Sequence, residues 1–221
     1  MPLKPWAMAL LGLSLFATGA STLAQNHKGH HDHAFSGAEK WSQVFDDPKR
    51  DAWQKPQEVI KALSLKSGAV IVDIGAGTGY FSTRFAKAVP QSRVYGVDAE
   101  PDMVRFLGER ARKENLGNLK AVAANAADPR LPEKADMIVM VDVFHHIDAR
   151  TRYFRNLRDS LLPGGRVAII DFRLDTPYGP ARASRIAPER VIAELKEAGY
   201  TLQETHEFLP RQYFLVFKPA V

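Results

Sequence analysis

The sequence contains no cysteine. That absence excludes a disulfide scaffold, a thiolate zinc site, an iron–sulfur ligand set and a cysteine nucleophile. It also excludes a bacterial lipoprotein, whose lipid is carried on cysteine. Charge of one sign is in slight excess only: 30 Lys and Arg stand against 25 Asp and Glu, a net charge of +5. The basic residues are scattered, so charge alone does not imply nucleic acid. Glycine and proline, 15 and 14 in 221 residues, are too few for a collagen-like or low-complexity chain. No hydrophobic run reaches the ~20 residues of a bilayer-crossing helix. With 45% hydrophobic residues, an ordinary globular chain with one domain is expected.

The first forty residues read differently from the rest. Lys4 is followed by the apolar run Trp6 to Ala20 and then by the small-residue end Ser21-Thr-Leu-Ala24. Positive start, apolar centre and small-residue end are the three parts of a secretory signal peptide. Residues 1–24 are therefore expected to be a signal, cleaved after Ala24, with Ala20 the alternative site and an uncleaved anchor the alternative reading. The mature protein is then expected in the periplasm or medium, without a stable membrane anchor. Residues 25–40 form a leader in which His27, His30, His31 and His33 fall within seven positions. Two readings stay open for it. One is a flexible, soluble linker; the other is weak binding of Zn, Ni or Cu by those imidazoles. No metal ligand set is predicted within the domain itself.

From Trp41 onward, over residues 41–221, short apolar runs alternate with amphipathic stretches, the pattern of a parallel sheet flanked by helices. Strands are expected at 69–74, 93–98, 119–123, 137–141, 166–171, 201–208 and 212–218, the last two as an antiparallel hairpin through Pro210. Helices are expected near 56–62, 79–88, 102–114, 149–160 and 188–198, with Pro188 starting the last and Gly199 ending it.

The first strand runs into Asp73-Ile-Gly75-Ala-Gly77-Thr78-Gly79. Glycines at a strand-to-helix turn let the backbone approach a ligand, and the helix start offers free N–H groups. The dinucleotide fingerprint Gly-x-Gly-x-x-Gly fails in both registers, since Tyr80 or Ser82 occupies its third glycine, and the Gly-Lys-Ser/Thr of a P-loop is absent. Nineteen residues after Gly79, the second strand ends in Asp98, where a carboxylate can hold both hydroxyls of a ribose lying over the switch point of the sheet.

On these residues the chain resembles the class I S-adenosylmethionine-dependent methyltransferases from about Trp53 to its end. Val-Asp-Ile-Gly-Ala-Gly-Thr-Gly at 72–79 is similar to that family's first motif, and Tyr-Gly-Val-Asp-Ala-Glu-Pro-Asp-Met at 95–103 to its second. The segment Ala123-Ala-Asn125-Ala126 resembles the ubiquinone/menaquinone-biosynthesis branch, although Ala-Asp-Pro-Arg at 127–130 makes the following stretch two residues longer. The resemblance implies a Rossmann-like, seven-stranded, mostly parallel α/β sheet with helices on both faces and an antiparallel C-terminal hairpin. It implies S-adenosyl-L-methionine as cofactor, with Gly75, Gly77 and Thr78 around the methionine and ribose end. It places Asp98, with Ala99 beside it, on the ribose, Asn125 and Ala126 on the adenine, and Asp142 near the methionine tail. Asp73 has two open roles, ligand contact or capping of the turn, and Gly79 is expected to serve helix packing.

His145 and His146, after the fourth strand, are the candidate proton acceptors. A packing role for at least one of them is the alternative, because methyl transfer from a sulfonium is downhill and needs chiefly alignment. Trp53, Tyr178 and Arg182 are the main substrate-side candidates, with Gln54, Lys55 and Arg185 near them. The expected function is methylation at O, N or C of a small or lipid-like acceptor. Asp142-Val-Phe-His replaces the Asn/Asp-Pro-Pro-Tyr/Phe of base-amino methylation, and arsenite methylation lacks its thiolates. The competing function is a non-catalytic exported protein that binds a nucleoside or metal. Its motive is location, because the methyl donor is made in the cytoplasm.

Overall fold

The computed structural model describes residues 37–128 and 131–220; the signal-like segment and the four leader histidines lie outside them. The strands are β1 Val70–Ile74, β2 Arg93–Asp98, β3 Leu119–Ala123, β4 Ala135–Val141, β5 Leu161–Phe172, β6 Tyr200–His206 and β7 Gln212–Pro219. The helices are α1 Ala38–Phe45, α2 Asp51–Gln54, α3 Pro56–Leu63, α4 Tyr80–Ala88, α5 Pro101–Lys113, α6 Arg150–Leu157 and α7 Pro188–Glu197. One seven-stranded sheet has the order β3-β2-β1-β4-β5-β7-β6. Its first five strands are parallel, and β7 runs antiparallel to both β5 and β6. The expected α/β class, strand count and C-terminal hairpin are all present. The order reverses between β1 and β4, so a crevice opens outside their carboxyl ends.

Alternation along β1 shows how the two layers of core arise. Val70, Val72 and Ile74 pack on one face with Phe144, Phe154 and Leu157 of the α6 side and Val191 and Leu195 of α7. Ile71 points to the other face, among Val59, Leu63, Phe81, Phe85 and Leu107 of α3, α4 and α5. A period of two puts Asp73 on this second face too, beneath α4. Both faces are covered, which is why the central strands read as continuous apolar runs.

Several boundaries shift by one to three residues, and three elements depart further from expectation. Helix α1 begins at Ala38, inside the stretch read as leader. Asp102 of α5 fixes its start by accepting from the Gly37 and Ala38 N–H groups at 2.7 and 2.9 Å. Strand β5 begins at Leu161 rather than near Arg166, because Leu161 already pairs with Ala135 across a register shift. The short helix α2 was not foreseen; four residues carry too little periodicity to show. Pro188 does open α7, and Gly199, at φ +87°, follows its end.

Candidate functional site

The carboxyl ends of β1, β2 and β4 meet around the glycine turn. After Ile74 the chain takes left-handed backbone at Gly75 and Gly79, φ +71° and +90°, which a side chain would strain. Space forbids one as well. A Cβ on Gly75 would lie 2.3 Å from Val143 Cγ2, and one on Gly79 would lie 2.3 Å from Leu107 Cδ1. Gly79 thus serves the packing of α4 against α5, whereas Gly75 is exposed at the mouth. Gly75 and Ala76 both donate to the Val97 carbonyl, at 2.8 and 3.0 Å, which binds the turn to β2.

Asp98 is half-buried at the end of β2. Its Oδ2 accepts from the Gly77 N–H at 2.7 Å and its Oδ1 from the Glu100 N–H at 2.9 Å. Each oxygen keeps a second lone pair, so the carboxylate is fixed in position and can still accept two hydroxyls. Burial raises its pKa, against the pull of these backbone donors. Ala99 is exposed beside it, and the turn carrying Asn125 and Ala126 is tied to it by the Ala124 N–H bond to the Asp98 carbonyl, 2.9 Å. The Asn125 side-chain oxygen accepts from Ala127 N at 2.8 Å within its own turn. Thr78 is 1% exposed and its Oγ1 has no hydrogen-bond partner among the described residues, a buried polar atom in want of one.

Asp73 lies behind this surface, 3% exposed, with its Oδ2 accepting from Ser82 Oγ at 2.6 Å. Burial pushes its carboxyl up to about 7, with nearby Asp98 adding to the effect and the Ser82 bond opposing it. Its contacts are those of a residue that fastens α4 to β1.

Asp142 follows β4 in left-handed backbone, φ +59°. Gln212 donates to its Oδ1 at 2.6 Å and Gln54 to its Oδ2 at 3.4 Å, while Arg50 stands 3.6 Å away. Burial pushes its carboxyl up to about 6; Asp171 adds to the rise and Arg50 opposes it. Arg50 also donates to the Gln54 side chain and to the Phe45 carbonyl, and its guanidinium lies 4.2 Å over the Tyr80 ring. With the Asp46–Arg110 ion pair at 2.7 Å, these contacts strap residues 38–54 across the glycine turn.

His145 has its Nδ1 2.9 Å from both oxygens of Asp171, which is 2% exposed, and its N–H also reaches that carboxylate at 3.2 Å. Burial opposes a charge on the ring, but the Asp171 contact and then Asp142 outweigh it, so the pKa is raised. His146 is exposed, with its ring 4.1 Å from that of His145. Trp53 packs on Phe172 at 5.7 Å and Tyr178 is 53% exposed; the Arg211 guanidinium lies over both their rings, 5.0 and 3.5 Å from the centroids. Arg182 is exposed in the turn Arg182–Ser184, outside that stack.

The structure therefore gathers Gly75, Gly77, Thr78, Asp98, Ala99, the Asn125–Ala126 turn and Asp142 along one edge, and brings Trp53 together with Tyr178. Sequence reasoning missed Arg50, Asp171, Arg211 and Gln212. A signal existed for two of them. Asp171 closes an apolar run as Asp98 does, and Gln212 is a polar residue at the head of an otherwise apolar strand. Among the described residues no cluster of three or more side chains is placed to hold a metal ion.

Residues 65–207, more than half of the chain, match a methyltransferase domain family. The erythromycin 3''-O-methyltransferase of Saccharopolyspora erythraea is 26% identical over 85% of this chain and 60% of its own length. A phosphoethanolamine N-methyltransferase of Triticum aestivum is 28% identical over 78% of this chain. This chain spans only a third of that relative's length, 33%. Among solved structures, a SAM-dependent methyltransferase from Aquifex aeolicus superposes with a TM-score of 0.76 at 25% identity, covering 81% of this chain and 97% of that one.

Proposed function

The chain belongs to the methyltransferase domain family, and from that premise we propose that it moves a methyl group from S-adenosylmethionine to a small or lipid-like acceptor. The observation that carries this reading is Asp98, fixed at 2.7 Å by the glycine-turn N–H of Gly77 with two lone pairs to spare at the switch point. The residues present suit that cofactor. Asp98 and Ala99 would hold the ribose, Asn125 and Ala126 would flank the adenine, and Gly75, Gly77 and the unpartnered Thr78 Oγ1 would border the methionine end. Asp142 would face the ammonium of the methionine tail. Asp73 supports the turn from behind.

When bound, S-adenosylmethionine supplies an electrophilic methyl group on a sulfonium. The protein's part is then alignment of the acceptor lone pair and exclusion of water by the strap 38–54. A proton acceptor must be neutral, whereas Asp171 favours the charged form of His145. We therefore read His145 as a fixed part of the β4–β5 edge, and leave proton removal, where an acceptor needs it, to exposed His146.

Calorimetric titration is expected to show S-adenosylmethionine and S-adenosylhomocysteine binding in the micromolar range and NADH not binding. The reverse order would overturn the reading. Cofactor binding without turnover on phenol, quinol or amine acceptors would favour the non-catalytic alternative.

We also read residues 1–24 as an export signal. Protein recovered from the periplasm of a Gram-negative host is expected to begin at Gln25. A cytosolic protein that begins at Met1 would reject this.

A further inference from the structure

Arg211 sits in the connection between β6 and β7, and its guanidinium lies 3.5 Å over the ring of Tyr178 and 5.0 Å from that of Trp53. Stacking uses the flat face of the group and leaves its edge of in-plane N–H donors. No carboxylate or carbonyl among the described residues accepts from that edge. Most other arginines at this end of the molecule are paired: Arg50 with Gln54 and Phe45, Arg173 with Glu207, and Arg185 with four carbonyls.

The placement of this stack is specific. Trp53 precedes Gln54 and Arg211 precedes Gln212, and these two amides are the ones that donate to Asp142. Trp53 also rests on Phe172, the residue after Asp171. Tyr178 is presented by a loop that Arg185 closes through the carbonyls of Pro180, Arg173, Leu174 and Thr176. Three separate chain segments thus meet around one guanidinium, which Trp53 ties to Phe172 at the end of β5. Asp142 is already engaged by Gln54, Gln212 and Arg50, and does not neutralise it.

We propose that Arg211 is a specificity-determining residue: its guanidinium, set on Trp53 and Tyr178, receives a carboxylate carried by the methyl acceptor. This rests on the methyltransferase reading and narrows it to acceptors with an anionic group. A single guanidinium edge suits a monoanion, because a planar carboxylate matches its paired donors. The aromatic rings beside it suit an apolar or aromatic body on the same molecule.

The test uses the full chain loaded with S-adenosylhomocysteine, with 15N-labelled arginine. Decanoate, 4-hydroxybenzoate and the methyl ester of each are the probes. The Nε–H signal that Arg211→Gln removes is expected to shift saturably with at least one acid and with neither ester. Calorimetry should show Arg211→Gln weakening that acid at least tenfold, and Arg211→Lys weakening it less. S-adenosylhomocysteine affinity should stay within twofold in both variants. No shift with either acid, equal shifts with the esters, or an unchanged acid affinity in Arg211→Gln would overturn the proposal. Failure of S-adenosylhomocysteine itself to bind would instead overturn the methyltransferase reading.

Discussion

Replacing Asp98 with alanine is expected to weaken S-adenosylmethionine binding by roughly 2–4 kcal/mol, on the order of 30- to 1000-fold. The loss has two parts. Two charge-assisted bonds to the ribose disappear, and the Gly77 and Glu100 N–H groups lose the acceptor that holds the turn, at 2.7 and 2.9 Å. Asp98→Asn separates them. It keeps one acceptor oxygen for the turn but carries no charge, so its affinity should fall between those of the wild type and Asp98→Ala. Calorimetric titration checks the order, with circular dichroism to establish folding. Unchanged affinity in a folded Asp98→Ala protein would show that this carboxylate does not meet the cofactor.

The second large effect is on stability. Asp73 titrates near 7 in the fold, chiefly through burial, against an ordinary value of 3.8. A raised folded pKa means that the native state binds the proton more tightly than the unfolded chain. The resulting stabilisation is complete below about pH 4 and is lost as pH rises through 7. At about 1.4 kcal/mol per pH unit across that window, the loss amounts to about 4 kcal/mol at most. Asp73→Asn removes the titration and keeps an oxygen for the Ser82 hydroxyl. Its urea midpoint should match the wild type near pH 4 and exceed it at pH 8. A difference that stays constant with pH would mean that Asp73 keeps an ordinary pKa in the fold.

The sheet was legible because its signals are local. The runs at 70–74, 137–141 and 166–171 are apolar on both faces, and the glycine turn is contiguous with the acid-ended strand that follows it. The support around Asp142 is a different case. Gln54 and Gln212 reach it from 88 and 70 residues away, and no periodicity relates positions that far apart. Helix α1 was hidden for a related reason. Its eight residues, AEKWSQVF, bury only Ala38 fully, and they straddle the boundary drawn between leader and domain, so no apolar helical face shows. What fixes it is Asp102 on α5. The role of His145 was undecidable because the carboxylate that sets its charge lies 26 residues downstream.

The strand ends carry four carboxyl groups: Asp73 behind the turn, Asp98 on β2, Asp142 after β4 and Asp171 on β5. Arg50 offsets part of this charge, His145 pairs with Asp171, and burial keeps Asp73 partly protonated near neutrality, so Asp98 and Asp142 face the donor with most of what remains. A methyl donor arrives with a positive sulfur and departs with a neutral one, so this edge attracts the loaded form more than the spent form. The asymmetry favours exchange of by-product for fresh donor after each transfer. It weakens below about pH 6, where Asp142 takes up its proton.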